Sequence, residues 1–241
     1  MTRREPPGLS AGRRPGRTSE GPPVRPAWPA RLSGRQAGRQ AGPSGPSLRL
    51  FVACELPGET REALAAVQRL LQERGAEGPR WVRPEGIHLT LKFLGEVPAR
   101  RLKAIEAALE RAVREPFSLS VRLGRLGSFG GSTGLRVVWV GLEGDVEALA
   151  RLAARVEGAL QPMGFPRERR PFAVHLTLAR VKEGASPEDR RRLFDLVRSL
   201  ELPPLPGATL EAVSLMQSTL EAGGARYQCL ARFPKSSPAG A

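Results

Sequence analysis

Two copies of one tetrapeptide carry the residues of this chain that are best suited to acid–base chemistry. His-Leu-Thr-Leu occurs at residues 88–91 and again at 175–178, and its histidines, His88 and His175, are the only two among 241 residues. Because successive side chains of a β-strand point to opposite faces, each strand would present its histidine and threonine side by side. Two such strands around one cleft would supply an acid, a base and two hydroxyl donors.

This set of groups suits the in-line cleavage of a phosphodiester. The ordinary pKa of histidine, about 6.5, allows both protonation states near neutral pH. One imidazole could take a proton from water while the other gives one to the leaving oxygen. The hydroxyls of Thr90 and Thr177 could donate to the nonbridging oxygens, so we expect both threonines to bind the phosphate. No HxxxH or CxxC motif is present, which disfavours a metal site.

An internal repeat places the two motifs at corresponding positions. The histidines are 87 residues apart, and so are the pairs Leu48-Arg49 and Leu135-Arg136. In both halves the hydrophobic periodicity predicts a strand, an amphipathic helix, a loop and then the motif strand. Further helices are predicted around residues 102–109 and 193–200, and further strands over 117–126, 208–216 and 227–233.

The repeat predicts an α+β fold class. We expect a bilobal, duplicated fold with pseudo-two-fold symmetry, in which two antiparallel sheets line a central cleft and the helices lie outside. The domain would span residues 47–234, with repeat lobes at about 48–134 and 135–234, and a flexible tail would follow at 235–241.

Residues 1–46 differ in composition from the rest of the chain. They contain nine Arg, nine Pro, eight Gly and two acidic residues, and they carry +7 of the net charge of +14. Such a segment buries too little apolar surface to offset its ordering entropy, so it is predicted to be a disordered basic extension. A dispensable segment is favoured over an arm that adds nonspecific affinity for RNA.

No apolar stretch approaches the roughly 20 residues that span a bilayer. Cys54 and Cys229 are too few for a disulfide framework. Together with the lack of a secretory signal, these features predict a cytoplasmic protein that does not bind membranes.

Longer segments around the motifs resemble the two-histidine (2H) phosphoesterases. They are the first motif with its tail, HLTLKFLGEV at 88–97, the second motif HLTLAR at 175–180 after Arg-Pro-Phe at 170–172, the opening strand at 48–53 and a closing hairpin at 215–227. Within that superfamily the chain is similar to the bacterial and archaeal RNA 2′,3′-cyclic phosphodiesterases, historically called 2′-5′ RNA ligases. The similarity covers essentially all of 48–233.

The resemblance implies a hydrolase, an RNA 2′,3′-cyclic 3′-phosphodiesterase. It would convert a terminal 2′,3′-cyclic phosphate to a 2′-phosphomonoester with no metal or other cofactor. His88 would be the proton donor and His175 the proton acceptor, by the order usual in the family. The partner would be RNA 3′ ends, tRNA fragments among them, and a monomer would suffice without an obligatory protein partner. Two alternatives stay open: 2′-5′ ligation or cleavage as the main activity, and noncatalytic binding of RNA ends.

Two charged residues near the motifs are further candidates. Arg180 is expected to bind the phosphate, because a planar guanidinium makes bidentate contacts with phosphate oxygens. It lies five residues after His175, so a bulge or the strand end would have to direct it to the same face, and the alternative is a surface charge. Lys92 shares the parity of His88, which predicts either a contribution to the positive field or a solvated surface charge.

Base recognition is assigned to aromatic residues. Phe129 and Phe172 are the candidates for stacking on a nucleobase, with Tyr227 as a further possibility, because aromatic faces bind single-stranded ends with little sequence preference. For Phe172, packing in the core is the favoured alternative. Only 5% of the residues are aromatic, which predicts a short groove for the RNA terminus and no extended stacking platform.

Overall fold

Nine strands and four helices follow one another in the computed structural model, which describes residues 45–221 and 224–235. The helices are α1 (Gly58–Glu73), α2 (Leu102–Ala112), α3 (Val146–Leu160) and α4 (Pro187–Ser199). The strands are β1 (Ser47–Glu55), β2 (Arg80–Trp81), β3 (His88–Pro98), β4 (Leu119–Phe129), β5 (Val137–Gly144), β6 (His175–Arg180), β7 (Gly207–Leu210), β8 (Val213–Glu221) and β9 (Gly224–Phe233).

The strands form two antiparallel sheets, which confirms the predicted α+β class. The order is β3-β1-β8-β9 in the first sheet and β2-β6-β5-β4-β7 in the second. The motif strands β3 and β6 lie in different sheets, and each pairs with the strand that opens its half of the repeat, β1 or β5. They also contact each other, so the two histidines meet where the sheets adjoin.

Strands are exchanged between the two halves of the repeat. In the first half, β4 follows α2 and pairs with β5, the opening strand of the second half. In the second half, β8 follows α4 and pairs with β1, the opening strand of the first. The halves therefore interlock, and the boundary at residue 134 does not separate one sheet from the other.

The strand predicted over 208–216 is wrong in one respect, because it consists of two strands in different sheets. Its first part, β7, pairs with β4, and its second part, β8, pairs with β1. Buried residues alternate through Ala208 and Leu210, and the spacing then becomes odd, with burial resuming at Val213. A change of parity is expected where the chain leaves one sheet and enters the other.

The helices bury one face each against the outer surfaces of the sheets. In α1 this face contains Leu64, Val67 and Leu71, and in α3 it contains Leu149, Leu152, Val156 and Leu160, as the periodicity predicts. These residues belong to one continuous hydrophobic core. None of the described helices has both the length and the apolar composition that a membrane span requires.

The predictions for the termini concern residues that mostly lie outside the described ranges. Of the segment 1–46 only Gly45 and Pro46 are described, and the Pro46 carbonyl accepts a hydrogen bond from the amide of Ala99 at 2.8 Å. Of the tail 235–241 only Lys235 is described, and its ammonium pairs with Glu110 at 2.8 Å.

Candidate active site

The two motif strands bring most of the predicted site residues to one cleft of about 560 Å³. Of the seven candidates, six line this cleft: His88, Thr90, Phe129, His175, Thr177 and Arg180. Phe172 lies elsewhere, half-buried against the hydrophobic core. Arg180 is the one permanently charged side chain among the described residues that line the cleft.

The imidazoles are held by equivalent hydrogen bonds. Nδ1 of His88 lies 2.8 Å from the Gly86 carbonyl, and Nδ1 of His175 lies 2.7 Å from the Ala173 carbonyl. A carbonyl only accepts, so Nδ1 carries the hydrogen in both rings. Nε2 is then the nitrogen that can accept or donate a proton in the cleft, and the equivalence extends the repeat from the backbone to the tautomers.

Aromatic rings enclose His88 on two sides. The Phe51 ring stacks on the imidazole with centroids 4.7 Å apart and an interplanar angle of 28°. Tyr227 meets the same ring edge-on at 5.1 Å. Phe51 and Tyr227 belong to a small apolar cluster on the cleft side of the first sheet, separate from the main core. The ring of His88 is thus fixed by packing as well as by its hydrogen bond.

Different aromatic residues surround His175. Phe129 lies edge-on to the imidazole at 4.8 Å, and Trp139 lies 6.3 Å away. The Trp139 ring covers Gly127 so closely that a Cβ at this glycine would come within 2.2 Å of it. A glycine is therefore required at position 127 for Trp139 to reach the histidine.

Both imidazoles lose affinity for protons in this environment. Burial lowers the pKa of His88 to about 4, with Arg180 and His175 acting in the same direction, while the hydrogen bond to Gly86 and the carboxylate of Glu55 oppose the shift. Burial also lowers the pKa of His175, and Arg180 adds to the effect against the hydrogen bond to Ala173. Both rings are therefore neutral at neutral pH in the ligand-free protein, and a bound anion would raise their pKa values.

A β-bulge directs Arg180 into the cleft. In the pairing of β5 with β6, Val138 faces Ala179 and Trp139 faces Thr177, so Leu178 is an extra residue. This bulge places Arg180 on the same face of β6 as His175, which is one of the arrangements expected from the sequence. The side chain of Gln68 supports the bulge, because its Nε2 donates to the Leu178 carbonyl at 2.9 Å.

The first motif contains the same bulge, and the consequence for Lys92 corrects both expectations for it. In the pairing of β1 with β3, Val52 faces Lys92 and Ala53 faces Thr90, so Leu91 is the extra residue. Lys92 therefore leaves the cleft face, and Phe93 takes its place as a lining residue.

Lys92 is neither near the candidate phosphate site nor solvated. Its side chain is 3% exposed, and its ammonium lies 3.1 Å from both Glu157 and Glu168. It also donates to the Pro166 carbonyl at 2.6 Å. Lys92 thus joins β3 to α3 and to the loop that leads to the second motif.

The stacking role expected of Phe129 and Phe172 is not favoured. Phe129 is only 3% exposed and its ring packs against that of His175, while Phe172 packs on the core. The sequence patterns do not predict three residues of the site, which are Phe51, Phe93 and Trp139. Tyr227 is indicated by these patterns only as a further candidate. For Phe93 a signal existed, because the 87-residue offset makes it the equivalent of Arg180.

Within the described ranges, no three His, Cys, Asp or Glu side chains come together as a set of metal ligands.

Two HxTx strands that meet at one cleft between two antiparallel sheets define the 2H class of phosphoesterases. The LigT-like phosphoesterase family model matches the chain twice in succession, over residues 55–139 and 140–227. The chain belongs to the LigT-like phosphoesterase family. The two matches also follow the two halves of the repeat.

Similar proteins and solved structures cover the same part of the chain. The RNA 2′,3′-cyclic phosphodiesterase of Archaeoglobus fulgidus is 35% identical over 186 residues, which is 77% of this chain and 99% of that protein. Its Escherichia coli counterpart is 30% identical over 189 residues, 77% of this chain and 95% of that protein.

Among crystal structures, TT0787 of Thermus thermophilus has a TM-score of 0.62 and 30% identity, covering 77% of this chain and 97% of that one. E. coli LigT in its apo form has a TM-score of 0.59 and 29% identity, covering 78% of this chain and 96% of that one. A complex of E. coli LigT with 3′-AMP also matches, with a TM-score of 0.58 and 27% identity over 78% of this chain and 98% of that one.

Proposed function

We propose that this protein hydrolyses the 2′,3′-cyclic phosphate at the end of an RNA to a 2′-phosphomonoester by paired-histidine acid–base catalysis. The observation that carries the proposal is the meeting of both histidines, both threonines and Arg180 at one cleft. The similar proteins of A. fulgidus and E. coli are RNA 2′,3′-cyclic phosphodiesterases, which supports RNA as the substrate class.

Each group of the cleft has one task in this reaction. Nε2 of His175 takes a proton from water, whose oxygen forms the new bond to phosphorus. The bond from phosphorus to O3′ breaks, and Nε2 of His88 gives O3′ its proton. Thr90, Thr177 and Arg180 hold the nonbridging oxygens and stabilise the charge that develops on them.

An asymmetry of the cleft supports His88 as the donor. On the side of His88 the cleft opens into a wider groove, the side groove, which reaches Trp81 and Leu220 and which His175 does not line. A nucleoside needs this space, so the ribose would lie beside His88. O3′ belongs to that ribose and water attacks opposite to it, which leaves His175 as the base.

The lowered pKa values predict an unusual pH dependence. The pH profile of kcat/KM reports the free protein. We expect kcat/KM to fall as pH rises, with the midpoint of the fall below the ordinary histidine pKa of about 6.5, because the single catalytic proton is lost from the pair. The profile of kcat should fall at higher pH, because the bound phosphate raises the imidazole pKa values. Steady-state kinetics between pH 4 and 9 measures the fall of kcat/KM and the fall of kcat. If both parameters fell at the same pH, the lowered pKa values of the free protein would be contradicted.

The proposal is tested by product analysis. The purified protein is incubated in EDTA with an oligoribonucleotide that ends in a 2′,3′-cyclic phosphate, and the product is identified by ³¹P NMR. A 2′-phosphate is the expected product. A 3′-phosphate would show that O2′ and not O3′ is the leaving oxygen, contrary to the proposal. Absence of turnover would exclude a hydrolase and leave a protein that only binds RNA ends. Action on tRNA fragments, the cytoplasmic location and the monomeric state stay predictions from the sequence.

A further inference from the structure

The side groove is larger than the cleft that would hold the reacting phosphate. It encloses about 1100 Å³ of open space, about twice the space of the cleft. Both cavities share His88, Phe93, Arg180 and Tyr227 as lining residues. The groove is therefore continuous with the candidate active site, and whatever occupies it can be covalently attached to the group that reacts.

The groove carries the exposed apolar surface of the described chain. Phe93 is 42% exposed and Leu220 is 59% exposed, and they are the two large hydrophobic side chains exposed in the described ranges. Both line the side groove, one from β3 and the other from the end of β8. Half-buried Trp81 lies in the same groove. The aromatic faces of Phe93 and Trp81 suit the stacking of nucleobases, and the exposed aliphatic side chain of Leu220 extends this apolar surface.

The same groove is strongly cationic. Among the described residues that line it there are four arginines and neither Asp nor Glu; the arginines are Arg49, Arg80, Arg83 and Arg180. Arg80 and Arg83 are exposed, and neither forms an ion pair with a described carboxylate. Guanidinium groups concentrated in a groove without acidic residues are complementary to phosphate.

The number of cationic groups exceeds what one phosphate requires. A cyclic phosphate between the histidines is already met by two hydroxyls and by Arg180. Arg80 and Arg83 line the side groove and not the cleft, so the single phosphate of a mononucleotide held between the histidines would not reach them. An RNA strand would supply this anion as its last internucleotide phosphate.

We infer that the side groove binds the RNA strand upstream of the terminal cyclic phosphate, with bases on Phe93 and Leu220 and the internucleotide phosphate on Arg80 and Arg83. The inference rests on the proposed function. It makes an oligonucleotide end the preferred substrate over a cyclic mononucleotide. Because stacking contacts are sequence-tolerant, the preference depends on length more than on the identity of the bases.

The test compares ligands of two lengths in binding and in turnover. Calorimetry gives the Kd of uridine 2′-phosphate and of the dinucleotide UpU with a 2′-phosphate, and kinetics gives kcat/KM for the two corresponding cyclic phosphates. We expect the dinucleotide to be favoured by roughly 10- to 100-fold both in Kd and in kcat/KM, because this is the usual gain from the stacking of one base. Binding is measured independently of turnover.

Variants separate the two parts of the groove. Arg80→Gln combined with Arg83→Gln should reduce the length preference. In a plot of the logarithm of the dinucleotide's binding constant against the logarithm of the salt concentration, the slope should become shallower by about 0.7 for each lost phosphate contact. Leu220→Ala should reduce the preference while retaining the salt slope. Arg191→Gln, on the exposed face of α4, is the control and should change the preference in neither Kd nor kcat/KM.

The outcomes distinguish the two proposals. Equal Kd and equal kcat/KM for both lengths would overturn the inference while the proposed function stands. A preference that survives in the double arginine variant and in Leu220→Ala would also overturn it. A length preference in Kd with no turnover of either substrate would support the groove and overturn the proposed function.

Discussion

Replacing either histidine by alanine is expected to lower kcat for the cyclic phosphate by about 10²- to 10⁴-fold, because each variant lacks one of the two proton transfers. The change should be in kcat more than in KM, since Thr90, Thr177 and Arg180 still bind the phosphate. The double variant should lose about as much as either single variant, because groups that act as a unit give non-additive losses. Single-turnover kinetics measures the loss without interference from product release.

The comparison needs variants that are folded. A circular dichroism spectrum and a thermal transition like those of the wild type establish this for His88→Ala and His175→Ala. The exposed Arg191→Gln variant serves as the control and should retain full activity. If either histidine variant kept a rate close to that of the wild type, paired-histidine catalysis would be wrong.

Replacing Lys92 by methionine is expected to lower the free energy of unfolding by about 3–5 kcal/mol, the usual cost of removing one partner from a buried ion pair. The ammonium of Lys92 is held by two carboxylates and by the Pro166 carbonyl. The side chain of Glu157 is only 16% exposed, so its carboxylate would lose its cation and retain little solvent, with the Glu168 amide still donating to it at 3.0 Å. Urea denaturation measures the change.

A second lysine in the chain provides the matched control. Lys103 pairs with Glu106 at the same 3.1 Å, but its side chain is 89% exposed. Lys103→Met should change the free energy of unfolding by less than about 1 kcal/mol, as is typical of a surface pair. Equal urea midpoints for Lys92→Met and Lys103→Met would show that the buried pair does not stabilise the junction of β3 and α3.

The repeat allowed the fold class and the centre of the site to be predicted from the sequence. The 87-residue offset identified corresponding strands, and alternation within a strand placed each histidine beside a threonine. Both deductions need only local periodicity and the comparison of one half of the chain with the other. For that reason the predicted four helices and the opening and motif strands match the described elements.

Alternation fails where a strand carries an extra residue. The odd offset of Arg180 from His175 indicates the bulge at Leu178, but no such signal marks the same bulge at Leu91. Lys92 has even parity and a charge, so alternation alone places it with His88 or in solvent. Applying the repeat to the bulge would have predicted Phe93 in the cleft and Lys92 on the opposite face.

Pairing between distant strands lies outside what local patterns contain. The exchange of β4 and β8 between the halves depends on which strand edge each one meets, and the division at residues 211 and 212 follows from that exchange. The aromatic surroundings of the histidines have the same origin. Phe51 and Tyr227 come together around His88 from positions 176 residues apart, and only the assembled first sheet brings them into contact.

The opposite roles of the two histidines are tested most directly with a 3′-thio cyclic phosphate, in which sulfur replaces the bridging O3′. A thiolate, whose conjugate acid has a pKa of about 8.5, leaves without a proton from the protein. We predict that His88→Ala turns over this substrate within about tenfold of the wild-type rate, since the missing proton transfer contributes nothing to it. His175→Ala should stay impaired, because water still has to be activated. Rescue of His175→Ala and not of His88→Ala, or rescue of neither, would contradict the account.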